Sequence, residues 1–155
     1  MTKAKNAKVE MKGKIPNILL GVKRKRSKAA RVQELTDNKS IALSTVLKGS
    51  FDDTIVWDLP GGCPPDYTSN PLGTVTIEKV QPTLGRFVVG NARNNFNGGT
   101  AGIRAMARQR AWVEMLETMH EDEAAVLIAM VDNTINKLFP SVCYDLAAEA
   151  FPELF

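Results

Sequence analysis

His120 to Asp132, HEDEAAVLIAMVD, is the stretch that sets the class of fold. Three acids open it, Ala124 to Val131 is apolar without a break, and Asp132 closes it. Acids in a first turn complement the positive end of a helix macrodipole, and a helix apolar on every side is a buried one. Eight apolar residues fall far short of the roughly 20 that cross a bilayer, so protein must cover this helix. The expectation is a mainly α, single compact helical domain assembled around it, soluble and without a membrane partner.

Working outward, Thr100 is placed to cap a long helix to about Met119 with Ile103, Met106, Trp112, Val113, Leu116 and Met119 on its core side. After the central helix, Thr134 to Phe139 makes a turn or two and Pro140 interrupts. Ser141 then caps a last helix through Ala150 before the aromatic end FPELF. Phe139, Tyr144, Leu146, Phe151 and Phe155 are expected to close the core. Upstream, Pro16 suits the first turn of a helix through Val22. Ser27 caps a second helix to about Leu35, and Ser40 to Lys48 forms a third that Gly49 stops. Residues 15–50 thus read as a basic helical hairpin, with 100–155 as the C-terminal helices.

Between these blocks, Ile55-Val56-Trp57 is β-prone and Thr74 to Val80, TVTIEKV, alternates. The two are expected to pair as a small two-stranded β-ribbon around a Pro/Gly-rich loop across residues 51–80. Pro82 opens a short helix through Val89, and the asparagines of Asn91 to Gly99 mark a loop.

Charge is unevenly distributed. Up to Lys39 there are twelve Lys and Arg against three acids, a net +9; from Ser40 onward eight bases face fourteen acids, a net −6. Residues 1–14 carry five lysines and few large apolar groups, so they read as a flexible basic N-terminal arm preceding the domain at 15–155. Cys63 and Cys143 match no metal or redox spacing, as in a reduced intracellular chain.

The stretch LKGSFDDTIVWDLPGG (Leu47 to Gly62), Asn70-Pro71, and MLETMHEDEAAVLIAMVDNTINKLFPSV (Met115 to Val142) followed by EAFPEL resemble a family of small uncharacterised proteins of T-even-like tailed phages, especially those of marine bacteria and cyanobacteria. The resemblance spans about Ala29 to Leu154. It implies a phage origin and a setting in the host cytoplasm or the virion, and it implies no catalytic residues.

Chemistry is sparse. His120 has Glu117 and Glu121 at helical spacing, but acid–base work needs a pocket and a positioned partner, and a helix-end histidine is the simpler reading. Glu121, Asp122 and Glu123, with Asp132, suit helix capping better than a cation. Gly98 to Gly102 enters a helix as a phosphate loop does, yet Ile103 and Arg104 stand where that loop carries lysine and a hydroxyl residue. No metal, cofactor or catalytic centre is expected. The remaining signal is cationic: Lys23, Arg24, Lys25, Arg26, Lys28 and Arg31 along the hairpin, with Arg104 and Arg108 sharing a face of the later helix. These eight are the candidate phosphate-facing set. The leading expectation is a non-enzymatic phage accessory protein that binds nucleic acid or a nucleic-acid-processing complex. The same charge would also serve an acidic protein surface, as in a minor virion component or an adaptor for a host protein. The sequence sets no oligomeric state.

Overall fold

A computed structural model describes residues 11, 13–59, 64, 66–88 and 105–155. Its helices are α1 (Lys14–Arg24), α2 (Lys28–Asp37), α3 (Ile41–Phe51), α4 (Ile77–Val80), α5 (Ala105–Thr118), α6 (Glu121–Asp132), α7 (Ile135–Leu138) and α8 (Tyr144–Ala150). Short 3₁₀ turns cover Gln81–Phe87 and Pro152–Leu154. The fold is mainly helical.

α6 lies at the centre, packed by α1, α3, α5 and α7, and α2 lies between α1 and α8. Ala124, Val126, Leu127 and Met130 are fully buried, as the apolar run requires. Ile128 is only half-buried, so one stripe of the helix reaches the surface. The two serine caps form where the sequence places them. Ser27 Oγ accepts from Ala30 N at 3.1 Å and Ser40 Oγ from Leu43 N at 3.1 Å. α6 ends at Asn133, whose φ of 59° is the left-handed conformation that asparagine tolerates.

Several expectations are corrected. Thr74 to Val80 is not a strand, and no β-ribbon exists among the described residues. Thr76 Oγ1 accepts from Lys79 N at 3.2 Å and starts a helical turn. Ile77, Val80 and Leu84, spaced by three and four, all face the core, a helical period that outcompetes the alternation. The β contacts reduce to isolated bridges, Trp57 with Val88 and Val75 with Met119. Gly49 does not stop α3, which continues to Phe51. A Cβ there would lie 2.7 Å from the Trp57 indole and 2.8 Å from Met130 Sδ. Its carbonyl accepts from Trp57 Nε1 at 2.9 Å, so this glycine serves close approach. Cys143, not Ser141, occupies the N-cap position of α8. Tyr144, Phe155 and Met106 are exposed rather than core. The arm expected over residues 1–14 falls mostly outside the described residues. Its end is anchored: Met11 N donates to Asn17 Oδ1 at 2.8 Å and Lys14 already belongs to α1. The expected cap Thr100 and the loop at 91–99 also lie outside the described residues.

Glu123 sets two neighbours of α6, the start of α4 and the entry to α1. Its side chain is buried, and its Oε1 accepts from Ile77 N at 2.9 Å, fixing the start of α4. Gly13, at φ 101°, passes so near that a Cβ would stand 2.5 Å from Glu123 Cδ. Burial pushes the carboxyl up, against the pull of the Ile77 N–H. An acid whose native affinity for protons is raised contributes stability that is complete below its unfolded range and is lost as pH rises through its folded range. Glu123→Gln is therefore expected to flatten the fall in melting temperature between acidic and neutral pH; an unchanged pH profile would show that this carboxyl titrates as it does in water.

Leu127→Asp places a charge where no solvent reaches and should cost several kcal/mol in a urea unfolding curve. Ile128→Asp, on the half-exposed stripe, should cost clearly less.

Candidate nucleic-acid interface

A basic corner forms where α1 ends and α2 begins. Lys23 and Arg24 fill the last turn of α1, Lys25 caps it, Arg26 lies in the bend, and Lys28 opens α2. The local reason is electrostatic: cations at a helix C-terminus face its negative end. The capping residue's N–H donates to Val22 O at 3.1 Å, which tightens the exit. Lys23, Arg24, Lys25, Arg26 and Lys28 are all exposed.

Arg31 differs from these five. It is half-buried and its Nε donates to Lys25 O at 3.0 Å, so it holds the bend in shape from one turn into α2. Two of the exposed cations have counter-ions. Lys25 Nζ stands 3.7 Å from Glu34 Oε1, and Lys28 Nζ 3.1 Å from Glu149 Oε1 across the α2–α8 contact. The hydrogen bond and charge of Glu149 hold the Lys28 ammonium above its ordinary range. Lys23 and Arg26 make no ion pair among the described residues.

The second expected cluster does not join this corner. Arg104 lies outside the described residues. Arg108 grips Asp58, its Nη2 2.8 Å from Oδ2 and its Nε donating to the backbone carbonyl at 2.9 Å, with the side chain only 12% exposed. It therefore stitches α5 to the segment after Trp57, and its guanidinium is not offered to a phosphate.

His120 and its neighbours are likewise committed. His120 Nδ1 accepts from Asp122 N at 3.0 Å as the N-cap of α6, which fixes the other ring nitrogen as the proton carrier of the neutral ring. Glu117 Oε2 accepts from Thr68 N at 2.8 Å and the Glu117 carbonyl accepts from Asn70 Nδ2 at 2.8 Å, so this residue fastens the loop before α4. Asn70 O in turn accepts from Glu121 N at 3.0 Å. Among the described residues no group of three or more His, Cys, Asp or Glu side chains is placed to hold a metal, and no helix is long and apolar enough to cross a membrane. Cys63 and the glycines of residues 98–102 lie outside the described residues.

A model of a family of unknown function, DUF6433, matches residues 18–137. The chain belongs to that family. No curated protein and no solved structure matches it. The whole basic corner falls inside the DUF6433 match, whereas Glu149, the counter-ion of Lys28, falls after it.

Sequence reasoning missed the partners more than the cations. Lys28 and Glu149 share no motif or helical spacing, and only the packing of α2 on α8 joins them. Arg108 and Asp58 are equally remote in sequence. Arg108→Ala should lower unfolding stability by about 1 kcal/mol, because it removes a shielded side chain together with its hydrogen bonds to Asp58, whose own carboxylate water can still reach. Arg26→Ala should leave the melting temperature unchanged, and equal effects of the two substitutions would contradict the division of roles.

Proposed function

We propose that this chain is a non-enzymatic phage accessory protein that binds nucleic acid, or a complex that processes it, through the α1–α2 corner. One observation carries the reading: five exposed cations, Lys23, Arg24, Lys25, Arg26 and Lys28, stand on one short connection between two helices. Neutralising several phosphates with such a set releases counter-ions, and that release supplies sequence-independent affinity. Base reading is not part of the proposal, because the corner offers no stacking aromatic and no recognition helix. The phage setting rests on the resemblance of Leu47 to Gly62 and Met115 to Val142 to T-even-like phage proteins. The non-enzymatic reading is supported by His120 Nδ1 and Glu117 Oε2, which are engaged in a helix cap and in holding a loop.

The test is duplex and single-stranded DNA binding by the full chain across a salt series. The affinity should fall linearly on logarithmic axes, and reversing Lys23, Arg24, Lys25 and Arg26 to Glu should abolish it while the chain still folds cooperatively, with only a small fall in melting temperature from acids placed at the C-terminal end of α1. Arg108→Ala should leave the salt slope intact. Binding that survives the quadruple reversal, or that shows no slope, overturns the assignment.

A further inference from the structure

Two adjoining clefts of about 760 and 740 Å³ share Phe51, Asp52, Asp53 and Tyr144 as walls. Together they form one groove between the end of α3, the start of α8 and the C-terminal residues. Apolar side chains are open to solvent here: Val56 is 53% exposed, Tyr144 49% and Phe155 36%. Tyr144 and Phe155 meet edge to face at 5.3 Å.

The aromatic groups of this region already receive ammonium groups from their own chain. Lys48 Nζ lies 6.0 Å from the Phe155 ring centre, and Lys39 Nζ lies 5.6 Å over Phe151. The acids differ in their engagement. Asp52 accepts from Lys48 Nζ at 2.6 Å and from Thr54, while Asp53 is exposed and makes no ion pair among the described residues. An aromatic wall with an unused carboxylate fits a Lys- and Arg-rich surface better than an apolar one or another anion.

Such a surface exists on the same chain. The groove belongs wholly to the acidic body, net −6 from Ser40 onward, and the α1–α2 corner to the basic head, net +9. In this conformation the corner is part of the α1–α2 connection, shaped by the Arg31 bond to Lys25 O, and none of its residues lines the groove of its own molecule. We infer that this protein self-associates head to tail, the Lys23–Arg26 corner of one copy seating in the Asp53–Tyr144–Phe155 groove of the next. Donor and acceptor are different patches, so the contact is heterologous and propagates into a ring or an open chain. It goes beyond nucleic-acid binding and competes with it for the same cations.

Sedimentation of the full chain tests the contact with two variants. One carries Asp53→Ala and Tyr144→Ala; the other carries Lys23→Glu, Arg24→Glu, Lys25→Glu and Arg26→Glu. Wild type should assemble beyond a dimer with rising concentration, and its association constant should fall by about tenfold or more as salt shortens the screening length. Each variant alone should be monomeric. A one-to-one mixture should give dimers and nothing larger, because only one intact corner and one intact groove can meet. Asp53→Ala alone, an exposed change that leaves the core untouched, should weaken assembly in the same direction and guards against a folding defect in the double variant. Wild type that stays monomeric at low salt overturns the inference, as do assembly by either variant alone and a mixture that remains monomeric. The groove variant should keep DNA binding, so loss of assembly and loss of nucleic-acid affinity are separately visible.

Discussion

Burial of α6 is the constraint to which the other helices answer. Its apolar surface can be covered only by elements on several sides, and α1, α3, α5 and α7 supply them. A helix so placed brings its polar N-terminus inside as well, where backbone donors need partners and the three acids of the first turn need compensation. His120 caps Asp122 N, Asn70 O takes the Glu121 N–H, and Glu123 turns inward to the Ile77 N–H. The loop before α4, α4 itself and the entry to α1 are thereby located by the end of one helix. Gly13 is needed in that arrangement because the Glu123 carboxyl occupies the space a side chain would fill.

What was legible in the sequence followed from local physics. Ser27 and Ser40 cap as hydroxyls do before helical segments, and the unbroken run from Ala124 to Val131 announces its own burial. What was not legible depended on residues far away. Thr74 to Val80 satisfies a strand pattern and a helical one, and Glu123 decides between them by receiving Ile77 N. Gly49 looks like a helix stop until Trp57 and Met130 close on it. Arg108 shows the same limit for the candidate site. Its spacing from Arg104 suggested a shared cationic face, but Asp58 takes the guanidinium, a partner fifty residues earlier that no periodicity names. The corner itself was legible because four cations in a row cannot be buried together, so exposure follows from composition alone.

The C-terminal segment gives the charge segregation a structural use. Lys28 pairs with Glu149, Lys39 with Glu153, and Lys48 donates to Leu154 O at 2.9 Å while holding Asp52. Burial would raise Asp52, but hydrogen bonds from Lys48 and Thr54 outweigh it and keep the carboxyl below its ordinary range. The hydrogen bond and charge of Lys39 lower Glu153 as well. Lys28 of α2, Lys39 of the α2–α3 link and Lys48 of α3 are thus met by residues of one segment, and the first two pairs, basic head on acidic body, supplement the apolar closure by Leu146 and Phe151.

These pairs are not equivalent when a phosphate approaches. Lys48 and Asp52 are mostly shielded, at 13% and 14% side-chain exposure. Separating them would strand a partly buried carboxylate, which is costly. Lys28 and Glu149 stand in water, at 58% and 53%. An exposed pair of that kind contributes little and solvent screens it, so a phosphate can replace the carboxylate at Lys28 without unfolding anything. Among the described residues, Lys23 and Arg26 have no ion pair to release and Lys28 has only a weak one. Arg31 must stay where it is, because its bond to Lys25 O shapes the bend that presents the others. If the corner binds an anion as proposed, that capacity depends on a cation whose Nε is already spent on shaping the bend.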